Sequence, residues 1–425
     1  MFILYDLIFI IFAIFYLPCF LLKKKANQGF SQRLGFLPDI KLNQPVWIHA
    51  VSVGEAKIAG VLIKQLRRVY PEKKFALSTV TATGNRIIRE FSREGDFVFY
   101  LPLDLSFITK RVIQRIRPCV CIIIETEIWP NLITNLNKAA VPVVLVNARI
   151  SDHSFFGYRI VKPLIKPILN KINFFCVQSN RDAKRLSRLG VLPDKLKITG
   201  NMKYDIFDPA DAKRDYSDYR LSLGLKEPER LFVVGSTHPG EEEIILSVYK
   251  KLADEFPGLR LFIAPRHPER WPEIESLIRR FGFSVSRISQ LKGEPGKRDI
   301  DKQAVFLLDA IGQLMFFYAV ADIVFVGGSL IKKGGQNILE PAFFQKPIIF
   351  GPHMFNFRDI TSLFLSNKAA CMVRGQEGLL KGVRFLLNNH AELDAMSKRT
   401  RQLVLENQGA TSRNVERLSL FISNR

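Results

Sequence analysis

Three acids stand at the ends of apolar runs, where a fold would present them to a ligand. In "HAVSVGEAKIAGVLIKQL", His49 to Leu66, the run Val46 to Val53 breaks at Gly54, and a helical pattern opens with Glu55. A strand-to-helix turn stabilises a carboxylate through the free amides and dipole of the helix start. Glu55 therefore reads either as a helix-start acid or, because Gly54 removes side-chain bulk beside it, as a general base toward a hydroxyl. In "IIIETEIWPN", Glu125 and Glu127 close the most apolar run of the chain before Trp129 and Pro130. Residues two apart on a strand share a face, so both acids are expected to point the same way, the alternative being a solvated strand end.

A second set of residues suits an anion. "VVGSTHPGEEE" supplies Gly235, Ser236, Thr237 and His238; "IAPRHPER" supplies Arg266 and His267. "VFVGGSLIKKGGQNILEPA" carries two glycine pairs, including Gly328 and Gly335, then Gln336, Asn337 and a helix with Glu340 in its first turn. Amides at a helix start, reached over glycines and joined by Ser236 and Arg266, make a phosphate site. Other chemistries are missing. There is no G-x-G-x-x-G after the first strand, no Walker loop and no G-x-S-x-G elbow. Asp299 and Asp301 lie in a charged Gly/Pro-bounded loop that reads as solvated surface. The six histidines lack ligand spacing and the five cysteines form no C-x-x-C pair, so no metal or cofactor is expected and the cysteines read as core.

The elements that must position these residues alternate. Apolar runs such as "PVWIHAVS", "KKFALSTV", "CVCIIIETE" and "VPVVLVNAR" are separated by amphipathic helical patterns, as in a parallel sheet covered on both faces. A second such series, from "RLFVVGST" to "KPIIFGP", follows a polar stretch at 203–229. The fold class is α/β, with two doubly wound Rossmann-like domains, which 425 residues accommodate. Ligands of such sheets bind beyond the strands' carboxyl ends, where all the residues above fall. One cleft between two facing domains would unite them, as a two-substrate transferase requires.

The first 22 residues are apolar except for Asp6 and are followed by Lys23, Lys24 and Lys25. About 20 such residues can cross a bilayer as a helix, so residues 1–22 are expected to anchor the chain, spanning or lying in the interface, with the remainder cytoplasmic. Sixty-two Lys and Arg against 40 Asp and Glu leave a charge of +22, which implies an anionic partner. Nucleic acid is disfavoured, because most of the 34 Phe fall in strands and the anchor instead of interleaving with basic residues.

The ordered blocks "WIHAVSVGE", "STVTATG", "LPLD", "ETEIWPN", "NARIS", "GNMKYD", "GSTHPGEEE", "PRHPER", "VGGSL", "GGQNILEPA" and "GPHMFNF" cover almost the whole chain. Together they resemble the 3-deoxy-D-manno-octulosonic acid (Kdo) transferases of lipopolysaccharide synthesis. That resemblance implies a GT-B fold, with an acceptor domain at 23–205 and a CMP-Kdo-binding domain at 206–425. It also implies metal-independent, inverting transfer of Kdo from CMP-Kdo to the lipid A precursor (lipid IVA) at the anionic surface of the bacterial inner membrane. By the same resemblance Glu55 is the catalytic base, Glu125 or Glu127 a second essential acid, and Ser236, Thr237, Arg266, Gly328, Asn337 and Glu340 contact the donor. Two blocks depart from the family. Gln336 stands where relatives commonly have histidine, which leaves hydrogen bonding and no imidazole acid there, and "GQL" at 312–314 replaces "GEL". A GT-B transferase with a UDP-type donor is the alternative.

Overall fold

The computed structural model describes residues 5–7, 9–11, 29–40, 42–208, 210–211, 214–291 and 301–422. The chain divides into one unit of residues 1–206 and 407–425 and a second of residues 207–406.

In the first unit the apolar runs form strands β1 (Val46–Ala50), β2 (Phe75–Thr79), β3 (Phe97–Tyr100), β4 (Val120–Ile124), β5 (Val143–Ala148), β6 (Phe174–Val177) and β7 (Leu196–Ile198). They pair in the order β3-β2-β1-β4-β5-β6-β7, every pair parallel. Successive residues of the central strands feed two separate cores. Trp47, Cys121, Ile123 and Leu145 pack on one face, and Val46, Ile48, Ile122, Ile124 and Val146 on the other. Both faces are covered by helices, which is why these strands read as continuous apolar runs. Cys119, Cys121 and Cys176 are buried, as expected of core residues, whereas Cys371 is only half-buried and Cys19 lies outside the described residues.

Strand order reverses between β1 and β4, whose registers match from Val46 opposite Val120 to His49 opposite Ile123. The two strands therefore end level, and the turns carrying Glu55 and Glu125 leave the sheet side by side. Such a switch point is where an open α/β sheet leaves a crevice.

The second unit repeats the plan with β8 (Arg230–Thr237), β9 (Leu259–Pro265), β10 (Val285–Arg287), β11 (Val305–Leu307), β12 (Ile323–Val326), β13 (Ile348–Phe350) and β14 (Cys371–Met372). Their order is β10-β11-β9-β8-β12-β13-β14, again all parallel. The switch point lies between β8 and β12, where Gly235 faces Val326.

Two expectations are corrected. Residues 407–425 do not belong to the C-terminal domain, because the helix Ala410–Ile422 buries Ala410, Val415, Leu418 and Ile422 in the core of the first unit. Asp205 ties this returning segment down, its carboxylate accepting from the amides of Gly409 (2.7 Å) and Thr411 (2.6 Å), while Arg413 Nε donates to the Thr199 carbonyl at 2.7 Å. An amphipathic pattern shows that a helix needs a core, not which core it finds.

The second correction concerns the expected anchor. Among the described residues no helix is long and apolar enough to cross a membrane, so the anchor is unsupported; residues 1–4, 8 and 12–22 of that stretch lie outside the described residues. Asp6, read from sequence as an interruption of an apolar span, has partners in the first unit. Its carboxylate accepts from the Ser106 amide (3.2 Å), from Asn131 Nδ2 (2.6 Å) and from the Ser106 hydroxyl. Hydropathy cannot distinguish lipid from protein as the partner of an apolar segment.

Candidate active site

At the first switch point, Ser52 is the N-cap of the helix Val53–Val69, and Glu55 is its third residue. Ser52 Oγ accepts from the Glu55 amide (3.4 Å) and donates to Glu55 Oε1 (2.9 Å); Glu55 Oε2 accepts from the Val51 amide at 2.7 Å. Ser52 and Glu55 thus stand at capping-box spacing, but the carboxylate reaches past the Ser52 amide to that of Val51. Glu55 is only 9% exposed. Burial raises its pKa and the charge of Glu125 adds to this, while the Val51 amide, Ser52 and Lys203 oppose the rise.

β4 ends at Ile124, and Glu125 adopts a left-handed φ of 60°. The two acids therefore lie in a turn beyond the sheet, not on one strand face as expected, and their surroundings differ. Glu125 Oε2 pairs with Arg149 Nε at 2.9 Å and its Oε1 with Lys203 Nζ at 3.3 Å. Glu127 has no ion pair among the described residues. Burial, with the charges of Glu55 and Glu125, pushes its pKa up to about 7, and Tyr158 lies within its field. A folded-state pKa raised this far means that Glu127's contribution to stability is complete below about pH 4.5 and is lost as pH rises through about 7. Near neutrality a share of Glu127 is protonated and can donate a hydrogen bond.

Arg149 and Lys203 escaped the sequence reading, although "NARIS" and "GNMKYD" were noted as blocks. The available signal was their position just beyond β5 and β7, on the same sheet edge as the acids. Lys203 lowers the pKa of Glu55. Lys203→Met should consequently raise it and, if Glu55 is the base that the family resemblance implies, move the acid limb of the rate to higher pH, since a base works only when deprotonated. A pH profile of kcat/KM with an unmoved acid limb would refute this coupling.

In the second unit the glycine-marked strand ends converge. Gly327 N donates to the Gly235 carbonyl at 2.8 Å, and Gly335 N to the Gly328 carbonyl at 2.8 Å. Ser236 has a left-handed φ of 59°, and Arg266 N donates to the Thr237 carbonyl at 3.0 Å. His238 and His267 meet edge to face, ring centroids 5.3 Å apart, and Gln336 Nε2 lies 3.2 Å from His238 Nε2. Just ahead of the helix Leu339–Phe343, Asn337 Oδ1 accepts from the Leu339 amide (3.1 Å) and its Nδ2 donates to Glu340 Oε1 at 3.3 Å. Glu340 in turn acts on Tyr318, whose hydroxyl occupies the space that a Cβ on Gly235 would need.

The residues that the sequence grouped as an anion site thus lie in one connected neighbourhood. Burial is the main cause that lowers the His238 pKa to about 4, followed by the charges of His267, Lys333, Arg266 and Arg270. The guanidinium of Arg266 is exposed and forms no ion pair among the described residues. An excess of cations around a neutral imidazole suits an anionic ligand. One detail contradicts expectation: the Gly328 amide is not free for a phosphate, because it donates to Glu241 Oε2 at 2.6 Å. Among the described residues, no three His, Cys, Asp or Glu side chains are grouped as metal ligands.

Two parallel doubly wound sheets, one carrying clustered carboxylates and the other a cationic, glycine-marked turn, define the GT-B class. Solved structures share this fold. The UDP-GlcNAc 2-epimerase from Neisseria meningitidis aligns with a TM-score of 0.59 over 88% of this chain and 99% of that one, at 12% identity. The family model described as 3-deoxy-D-manno-octulosonic-acid transferase matches residues 28–206. The 3-deoxy-D-manno-octulosonic acid transferase of Haemophilus influenzae is 35% identical over 399 residues, 93% of this chain and 92% of that protein. The transferase of the same description from Chlamydophila psittaci is 31% identical over 429 residues, 99% of this chain and 96% of that protein. The chain belongs to the 3-deoxy-D-manno-octulosonic acid transferase family.

Proposed function

We propose that this protein transfers Kdo from CMP-Kdo to a primary hydroxyl of the lipid A precursor, inverting the anomeric carbon without a metal. The observation that carries this reading is the Glu55 carboxylate. It is buried, held at both oxygens by Val51 and Ser52, and raised in pKa at the switch point of the first sheet. A base whose pKa is moved toward the working pH extracts a proton more effectively.

Glu55 takes the hydroxyl proton as that oxygen bonds to the anomeric carbon from the face opposite the phosphate. The bond from that carbon to the phosphate oxygen breaks, and its electron pair leaves on CMP. CMP is a stable anion, so it needs charge stabilisation more than a proton. Arg266 and Lys333 supply the charge, and Gln336 supplies hydrogen bonding where an imidazole acid is absent. Glu340 accepts hydrogen bonds from the ribose. Protonated Glu127 donates to an acceptor oxygen, while Glu125, between Arg149 and Lys203, holds the turn in place.

The excess of 22 positive charges suits a bis-phosphorylated acceptor in an anionic leaflet. The test is a mass-resolved transfer assay with purified protein, CMP-Kdo generated in place and tetra-acylated lipid A precursor. A product heavier by whole Kdo units is expected. Its absence beside an active control enzyme would overturn the substrates, and comparing CMP with UDP binding would then identify the donor class.

A further inference from the structure

We infer that Glu241 is an internal anion filling the backbone nest of the Gly327–Leu330 turn, and is thereby the positioning residue of the donor loop. The inference rests on reading this strand end as the donor site. Glu241 opens the helix Glu241–Glu255 directly after Gly240 and is 0% exposed. Its Oε2 accepts from the amides of His238 (3.1 Å) and Gly328 (2.6 Å), and its Oε1 from those of Ser329 (2.9 Å) and Leu330 (2.9 Å). Four donors on two oxygens match the acceptor capacity of an ionised carboxylate.

Converging amides after a strand at a switch point ordinarily receive a phosphate. Here the protein supplies the anion itself. The turn is consequently closed to the ligand, whose charges are left to the side chains around it: Arg266, Lys333 and the His238–Gln336 pair. The lock extends outward. Ser329 Oγ donates to the Val326 carbonyl (2.5 Å) and accepts from the Gly351 amide (2.8 Å), and the Gly328 carbonyl receives the Gly335 amide. A carboxylate on the β8 side thus sets the conformation of the β12 turn and, through Gly335, of the segment leading to Asn337 and Glu340.

Glutamine at 241 offers one oxygen and turns an N–H₂ group toward main-chain donors, so the turn must open. The expected result for Glu241→Gln is CMP binding weakened by about tenfold or more in calorimetry, with a parallel rise in KM for CMP-Kdo and kcat changed by no more than about threefold. Glu241→Asp keeps the charge and should recover part of the loss. Glu242→Gln is the control: Glu242 is equally buried, but its partner is Arg270 at 2.7 Å, so this variant loses stability while its CMP affinity stays within about twofold of the unmodified chain.

Should Glu241→Gln fail to fold, the comparison of Glu241→Asp with Glu242→Gln decides the same question. CMP affinity unchanged in folded Glu241 variants, or weakened equally by Glu242→Gln, overturns the inference alone. An unmodified chain that binds no CMP overturns the donor assignment and the inference with it.

Discussion

Glu55→Gln should abolish Kdo transfer, with kcat falling by about 10²–10⁴-fold, while the protein stays folded and continues to bind CMP. The choice of glutamine follows from the geometry. Capping boxes accept either Glu or Gln at the third helical position. The glutamine oxygen can accept from Val51, as Oε2 does now at 2.7 Å, so the helix Val53–Val69 keeps its start. What disappears is the proton acceptor. Glu55→Ala would confound the two roles, since loss of a helix cap alone costs about 0.5–2 kcal/mol. If Glu55 is only a capping residue, Glu55→Gln will retain near-normal turnover, and that outcome would sink the base assignment. Calorimetric CMP affinity measured beside the rate separates a lost base from a damaged fold.

Gly327→Ala should destabilise the second unit by about 1–3 kcal/mol or more and weaken CMP binding. A Cβ at this position would lie 2.5 Å from the Ser236 carbonyl oxygen, 2.7 Å from its carbon and 2.8 Å from Thr237 Cα. These are main-chain atoms at the end of β8, held in register with β12, so no rotamer change relieves the clash. The ends of both strands must separate, opening the turn that presents the donor residues. At this domain size the midpoint of thermal unfolding falls by about 2–4 °C for each kcal/mol. Gly157→Ala is the matching control, because nothing lies within 4 Å of its Cβ position and it sits within the helix Asp152–Ile160. Equal unfolding midpoints for the two variants would show that the switch point tolerates bulk.

The sequence by itself determined a good deal. Strands buried on both faces must be apolar throughout, so runs such as "VCIII" announced parallel sheets. The apolar run that breaks at Gly54 before a helical pattern placed Glu55 in the first turn of a helix. Glycines at successive strand ends marked the second neighbourhood, because a strand can turn sharply there only without side-chain bulk. Each of these signals is local, written within a few residues as a period, a break or a missing Cβ.

Only the tertiary structure separated Glu125 from Glu127. Arg149 and Lys203, which pair with the first and leave the second without an ion pair among the described residues, come from the ends of other strands. It alone showed that the Gly328 amide is taken by Glu241, 87 residues away, and that Asp205 fastens a helix beginning more than 200 residues later. It also gave Asp6 protein partners where hydropathy suggested lipid. The physical reason is common to all four. Hydrophobic period specifies what kind of element a segment becomes, whereas charge pairing depends on which strand ends the sheet order brings side by side, and the apolar pattern is indifferent to that order.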